Sequence, residues 1–263
     1  MFRNELLEMI KVSKMAREEI LKVYHSDFAV EIKSDDSPVT QADKNSDKLI
    51  REYLHEKFPS YAFLTEESND DVKRLTSDLV FIVDPLDGTA DFCAKNDEFT
   101  INIALSYQHQ IVAAVIMIPV SGDIYYAEKG FGAYHLYPDN SLQRIHVDNK
   151  DDDLVMYTSR FHPSEQEKLL PLLDKRIKTV EKRGSSLKGC FIAEGKGEVH
   201  YRLNEGTKEW DIAPMDLIVK EAGGVFIKPD LTSYQYNKVD VYNHNGYIIA
   251  NKMSNIYPAY LKK

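Results

Sequence analysis

Carboxylates carry most of the chemistry this sequence offers. In "VFIVDPLDGTADF", residues 80–92, an apolar run ends in Asp84 and Asp87, three residues apart, followed by Gly88-Thr89. Two accounts fit these residues taken alone. Pro85 blocks further strand pairing and Asp-Gly favours a tight turn, so the acids can be solvated residues where a strand stops. They can equally be hard oxygen ligands for a divalent cation, provided more carboxylates arrive from elsewhere in the chain.

Such carboxylates exist. "LTEES" ends another short apolar run in Glu66-Glu67. "KEWDIAP" puts Asp211 beside the only tryptophan, at the start of a helix whose Pro214 suits a first turn. Each has an ordinary account of its own, because acids favour helix N-termini and exposed strand ends. Together they make an oxygen-rich set of the kind magnesium prefers. After Gly88-Thr89, "ADFCAKN" can begin a helix, whose free N–H groups seat an anion while the threonine hydroxyl caps the helix or orients a water. A phosphate seat beside cation-binding carboxylates is the chemistry of a phosphoesterase.

The rest of the chain bounds that reading. Its 263 residues can bury a large core, in one domain or in two that share a cleft. A net charge of -9 disfavours nonspecific nucleic-acid binding, yet permits a small phosphorylated ligand approached through bound cations. No apolar run approaches the roughly 20 residues of a membrane span. The N-terminal segment reads as an amphipathic helix without the apolar core or cleavage site of a signal peptide. Cys93 and Cys190 are too few and too far apart for a disulfide framework or a thiolate metal site, so a cytoplasmic protein is expected.

Periodicity predicts helices over about 3–25 and 42–58, joined by the polar "SDDSPVT", and strands at "YAFLT" and "LVFIVD" separated by a variable surface loop, "SNDDVKRLTSD". Strands follow at "FTINIALSY", "IVAAVIMIPV", "DIYYAEK" and "GAYHL", in a mostly antiparallel sheet. The acidic run at 151–153 marks a boundary between an N-terminal α+β unit, 1–150, and a C-terminal α/β unit, 151–263, with a cleft between them. In the second unit, strands at "LVMYTSR", "KTVEK" and "EVHYRL" alternate with helices from Ser164 and around "SLKGCFIAEG", before the helix that ends at Gly223-Gly224.

Taken together, "SPVTQADK", "LTEES", "DPLDGT" and "EWDIAP" resemble the metal-dependent, lithium-sensitive phosphatases of the inositol monophosphatase superfamily, in order and over most of the chain. "DGTADFCAKNDEFTINIAL" and "GSSLKGCFIAEGKGEVHYR" are most similar to its CysQ-type 3'(2'),5'-bisphosphate nucleotidases. Ala90-Asp91 departs from that branch, which more often has Lys-Glu there. The resemblance implies an α/β sandwich of alternating helix and sheet layers, and removal of the 3'-phosphate from adenosine 3',5'-bisphosphate. Two other readings stay open: an inositol or related sugar monophosphatase, and a catalytically silent nucleotide-binding regulatory protein.

Carried over by position, the resemblance implies that Glu66, Asp84 and the Leu86 carbonyl bind one Mg2+, and that Asp84, Asp87 and Asp211 bind a second. A third, weaker ion near Glu66 occurs in family members. Asp43 and Thr89 match the pair that polarises the attacking water, assisted by Glu66, and Leu86, Asp87, Gly88 and Thr89 match the segment that holds the phosphate. Lys188, with Ser185-Ser186, matches a segment facing the nucleotide, and Arg202 and Thr207 fall where the family varies with substrate. His162 reads as a loop histidine and Cys93 as a packed residue. A homodimer is a family habit.

Overall fold

A computed structural model describes residues 1–33 and 38–257. α1 (Arg3–Tyr24) forms because Leu6, Met9, Val12, Ala16 and Ile20 recur at helical spacing and bury one stripe. β1 (Val30–Ile32) and β2 (Pro38–Thr40) pair antiparallel. The polar connection expected at 34–40 is therefore strand from Pro38 onward; its residues 34–37 lie outside the described ones. α2 (Gln41–Lys57) follows directly and turns Ile50 and Leu54 inward.

The remainder of the first half is β3 (Ala62–Thr65), β4 (Leu79–Asp87), the short α3 (Thr89–Cys93), β5 (Thr100–Tyr107), β6 (Gln110–Met117), β7 (Ile124–Glu128), β8 (Gly132–Leu136) and β9 (Leu142–Ile145). β3 to β9 make one seven-stranded sheet in chain order, antiparallel except for the β3–β4 pair. β9 was not legible in the sequence because three of its four residues are exposed. The segment expected to be a variable loop, 68–78, instead holds a 3-10 helix, Val72–Thr76, around the fully buried Arg74. Its guanidinium donates to Asp70 at 2.6 Å, to the Asn237 side chain at 2.7 Å and to the Lys238 carbonyl at 2.9 Å. A single buried arginine leaves no periodic trace in a sequence.

The second half contains β10 (Leu154–Ser159), α4 (Glu165–Leu173), β11 (Ile177–Arg183), α5 (Leu187–Ala193), β12 (Val199–Arg202), α6 (Glu209–Glu221), β13 (Val225–Ile227) and β14 (Tyr247–Ala250). The sheet order is β11-β10-β12-β14-β13, parallel across β11, β10 and β12 and antiparallel beyond. α6 begins at Glu209, so Pro214 sits at its sixth position, past the first turn where it was expected. There it removes the N–H that would bond the Trp210 carbonyl. Burial of every residue from Ile212 to Val219 offsets that loss.

The layers alternate. α1 and α2 cover one face of the seven-stranded sheet, α5 and α6 lie between the two sheets, and Leu170 of α4 packs on the outer face of the five-stranded sheet. This is the α/β sandwich of helix and sheet layers. Among the described residues no helix is long and apolar enough to cross a membrane.

Tight backbone approach locks β14 beside the end of β12. Gly246 has φ +68°, and a Cβ there would stand 1.8 Å from the Arg202 carbonyl oxygen. Gly246→Ala is expected to lower stability by about 2 kcal/mol or more. Urea unfolding measures this; an unchanged midpoint would show that the backbone yields freely.

Candidate active site

Asp84 and Asp87 are brought together by an irregularity in β4. In a regular strand, residues three apart point to opposite faces. Here Asp84 pairs with Asn102 and Asp87 with Thr100, so β4 carries one residue more than β5 between the two pairs. The bulge turns both aspartates to one side. Pro85 was expected to end pairing; the ladder instead resumes after it at Asp87. The Pro85 carbonyl accepts from Ser46 of α2 at 2.8 Å, and the Leu86 N–H donates to Asp84 Oδ1 at 3.0 Å.

Asp211 arrives from the start of α6, where its Oδ2 accepts from the Lys208 N–H at 2.5 Å. One carboxylate oxygen from each of Asp84, Asp87 and Asp211 falls within 4.8 Å of the others. Burial pushes all three carboxyls up, Asp211 to about 8; repulsion adds to it, from Glu66, Asp87 and Asp211 at Asp84, from Asp87 and Glu66 at Asp211, and from Glu66 at Asp87. Asp87 is partly relieved by Lys188 and by hydrogen bonds from Ser186 at 2.9 Å and Asn102 at 3.2 Å. Oxygen donors that repel one another at this range suit a hard divalent cation, whose charge removes the repulsion.

Glu66 follows β3 and lines the same cleft, but its Oε1 is paired with Lys33 at 3.1 Å, and Lys33 also holds Glu67. Burial raises the Glu67 carboxyl to about 7 despite Lys33. Glu66 is thus beside the three-aspartate cluster without belonging to it. Asp43 is fixed by a capping box at the start of α2: its Oδ2 accepts from the Thr40 N–H at 2.8 Å and the Thr40 hydroxyl at 2.7 Å. Its Oδ1 accepts from the Thr89 hydroxyl at 3.0 Å. Thr89 opens α3 behind Gly88, the helix N-cap, whose φ of +90° favours glycine.

This spatial set, with its order along the chain, can be compared with known proteins. Residues 3–262 match the model of the inositol monophosphatase family. The chain belongs to that family. It is 29% identical to a CysQ 3'(2'),5'-bisphosphate nucleotidase of Aggregatibacter actinomycetemcomitans, over 93% of this chain and 92% of the relative. It is also 29% identical to a Nus factor SuhB of Pasteurella multocida, over 94% and 91%. The crystal structure of CysQ from Bacteroides thetaiotaomicron superposes with a TM-score of 0.82 at 31% identity, covering 95% of this chain and 98% of that one. Membership makes the chain part of a family of metal-dependent phosphatases, and the aspartate cluster suits that chemistry.

Opposite the acids, the second half of the chain closes a cleft of about 220 Å³. Lys188 is 6% exposed there, and its ammonium donates to the Ser185 carbonyl at 2.5 Å and the Arg183 carbonyl at 3.3 Å. Burial brings its pKa down to about 8, with Asp87 opposing that shift. Arg202, Thr207 and Ser185 also line the cleft, and His162 stands at its exposed rim. Cys93 is half-buried on α3, and burial pushes its thiol up, with Asp43 adding to the effect, so it is a poor nucleophile.

Sequence reasoning passed over Thr40, Thr100, Asn102 and Lys33. The first had a signal, since "TQAD" is a capping-box spacing, and Thr100 and Asn102 are alternate polar residues in an apolar strand. Lys33 had none.

Carboxyls raised in the folded state keep protons that the unfolded chain releases. Above the ordinary aspartate value of 3.8, rising pH therefore favours unfolding until the folded groups also ionise, near 8 for Asp211. In EDTA the thermal midpoint is expected to fall from pH 5 to pH 8. Magnesium should restore it most at pH 8. Scanning calorimetry across that range tests both; a pH-independent midpoint in EDTA would contradict the clustered, protonated carboxyls.

Proposed function

We propose that the protein is a magnesium-dependent phosphomonoesterase that removes the 3'-phosphate of adenosine 3',5'-bisphosphate, giving AMP. The observation that carries this is the three-aspartate cluster facing a buried lysine across one cleft, at the meeting of residues 1–150 and 151–263. Asp84, Asp87 and Asp211, with Glu66 and the Leu86 carbonyl, are the residues that would hold two cations. When bound, such cations supply Lewis-acid chemistry, favouring ionisation of an attacking water and charge on the leaving oxygen.

The chain's own residues do the rest. Because the Thr89 hydroxyl donates to Asp43, its oxygen is left facing out as an acceptor for a water proton. Asp43 is held at its other oxygen by Thr40, so it cannot turn away from Thr89. Burial pushes the Asp43 carboxyl up, with the Thr40 and Thr89 hydrogen bonds opposing, which suits it to take a proton through Thr89. Gly88 lets the backbone come close to a phosphate without a side chain in the way. Lys188 sits where a ligand's anionic group would meet a desolvated ammonium, and Arg202 and Thr207 face the part of the substrate beyond the phosphate.

The similarity to a CysQ relative favours the nucleotide, whereas similarity to inositol monophosphatases keeps a sugar-phosphate substrate as the second reading. Phosphate release from adenosine 3',5'-bisphosphate, inositol 1-phosphate and fructose 1,6-bisphosphate separates them. The nucleotide is expected to be turned over best, with inhibition by lithium; release from none of the three would leave a nucleotide-binding regulatory role.

Substitutions test the roles. Asp84→Asn is expected to abolish release, while Asp43→Ala lowers kcat by roughly 10²- to 10⁴-fold with magnesium dependence little changed. Thr40→Val is expected to cost about 1 kcal/mol of stability through the lost cap and to slow turnover as well. Full activity in both Asp84→Asn and Asp43→Ala would remove the assignment.

A further inference from the structure

A second cavity, of about 520 Å³, opens away from the cleft, where the seven-stranded sheet ends at β3. Its walls come from α2, β3 and the 3-10 helix around Arg74. The Glu66 N–H donates inward to the Val83 carbonyl at 3.2 Å. By strand alternation, the N–H groups of Phe63 and Thr65 point away from β4, and among the described residues no further strand pairs with them.

Thr65 supplies the independent observation. It is 6% exposed, lines the cavity, and its hydroxyl has no hydrogen-bond partner among the described residues. Buried hydroxyls are nearly always satisfied, because an unmade hydrogen bond leaves the desolvation cost uncompensated. The same cavity is lined by the donors Lys73 and Arg51, the latter's guanidinium held by Asp47 at 2.8 Å, and bordered by the outward backbone N–H groups. The floor is aromatic. Tyr61 and Phe63 line the cavity, Phe63 rests on Phe81 with centroids 5.4 Å apart, and His55 meets its ring edge-on at 6.4 Å. Glu52 and Asp71 line the cavity as well, both exposed like Lys73, and Asp71 is engaged with the Lys73 N–H at 3.0 Å.

Donors beside an aromatic floor ask for acceptor atoms on a flat ring. We propose that this cavity is a second ligand site, distinct from the catalytic cleft, that takes a planar ring bearing an anionic group: the ring against Phe63 and Tyr61, the anion at Thr65 and Lys73. The bound ligand would border the turn that presents Glu66 and Glu67, since Thr65 is the residue before Glu66. The proposal does not depend on which phosphate ester the protein hydrolyses.

The probe is adenosine 5'-monophosphate, with adenosine and inorganic phosphate as its two halves, titrated by calorimetry into the full-length protein in EDTA, so that no turnover occurs. A saturable binding phase is expected that Thr65→Val and Lys73→Glu each weaken by about tenfold or more, the change that loss of a charge-assisted hydrogen bond produces. That phase should survive Lys188→Met, which alters only the cleft, and each half should bind at least about tenfold more weakly than the whole. Thr65→Val keeps the shape of the side chain, and thermal midpoints of all variants check that they fold. Absence of saturable heat, loss of the phase in Lys188→Met with retention in Thr65→Val, or equal affinity for phosphate alone would each overturn the proposal.

Discussion

Repulsion among buried carboxylates is the constraint on which the site depends. Asp84, Asp87 and Asp211 approach within 4.8 Å while largely removed from water. Like charges at that range in a low-dielectric setting are strongly unfavourable unless they are protonated or met by a cation. The fold holds them there regardless. Two come from a bulged interior strand and one from a helix wedged between both sheets, so none can retreat without disturbing a layer. Rigid layers keep the acids close, and closeness suits the cleft to a cation.

The same local device positions the outlying acids. Asp43 and Asp211 each occupy the third position of a helix and fold one oxygen back to the N–H of the residue before it, Thr40 or Lys208. This satisfies a backbone donor that a helix start otherwise leaves open, and it places negative charge at the favourable end of the helix dipole. The second oxygen of Asp43 is then aimed at Thr89. A stabilising feature of helix starts thereby also sets the direction of a chemically useful oxygen.

Much of this was legible in the residues, and the reasons for the remainder differ. Apolar periodicity located α1, α2 and the strands of the seven-stranded sheet through β8, because those elements bury one consistent face. β9 and β14 escaped for opposite reasons, one mostly solvated and the other a four-residue buried run after a long irregular segment. The acids and their order were readable, but their convergence was not: spacing of three along a strand argues against a shared face, and only the extra residue in register reverses that. The Lys33 pair with Glu66 and Glu67 depends on a tertiary approach that no local pattern records.

The two walls of the cleft have different origins. The acids of β4 belong to the seven-stranded sheet, whereas Lys188, Arg202 and Thr207 come from α5, the end of β12 and the approach to α6. On the proposed reading, bond cleavage is served by the first wall and choice of leaving group by the second. Side chains on the second wall can then change without disturbing the acids, provided Asp211 at the start of α6 stays in place. That separation explains how this chain can be equally similar to a nucleotidase and to a SuhB protein while its aspartate cluster is intact. Similarity spread over the whole chain reports the shared scaffold, and on the proposed reading the substrate is decided by the few residues facing the acids.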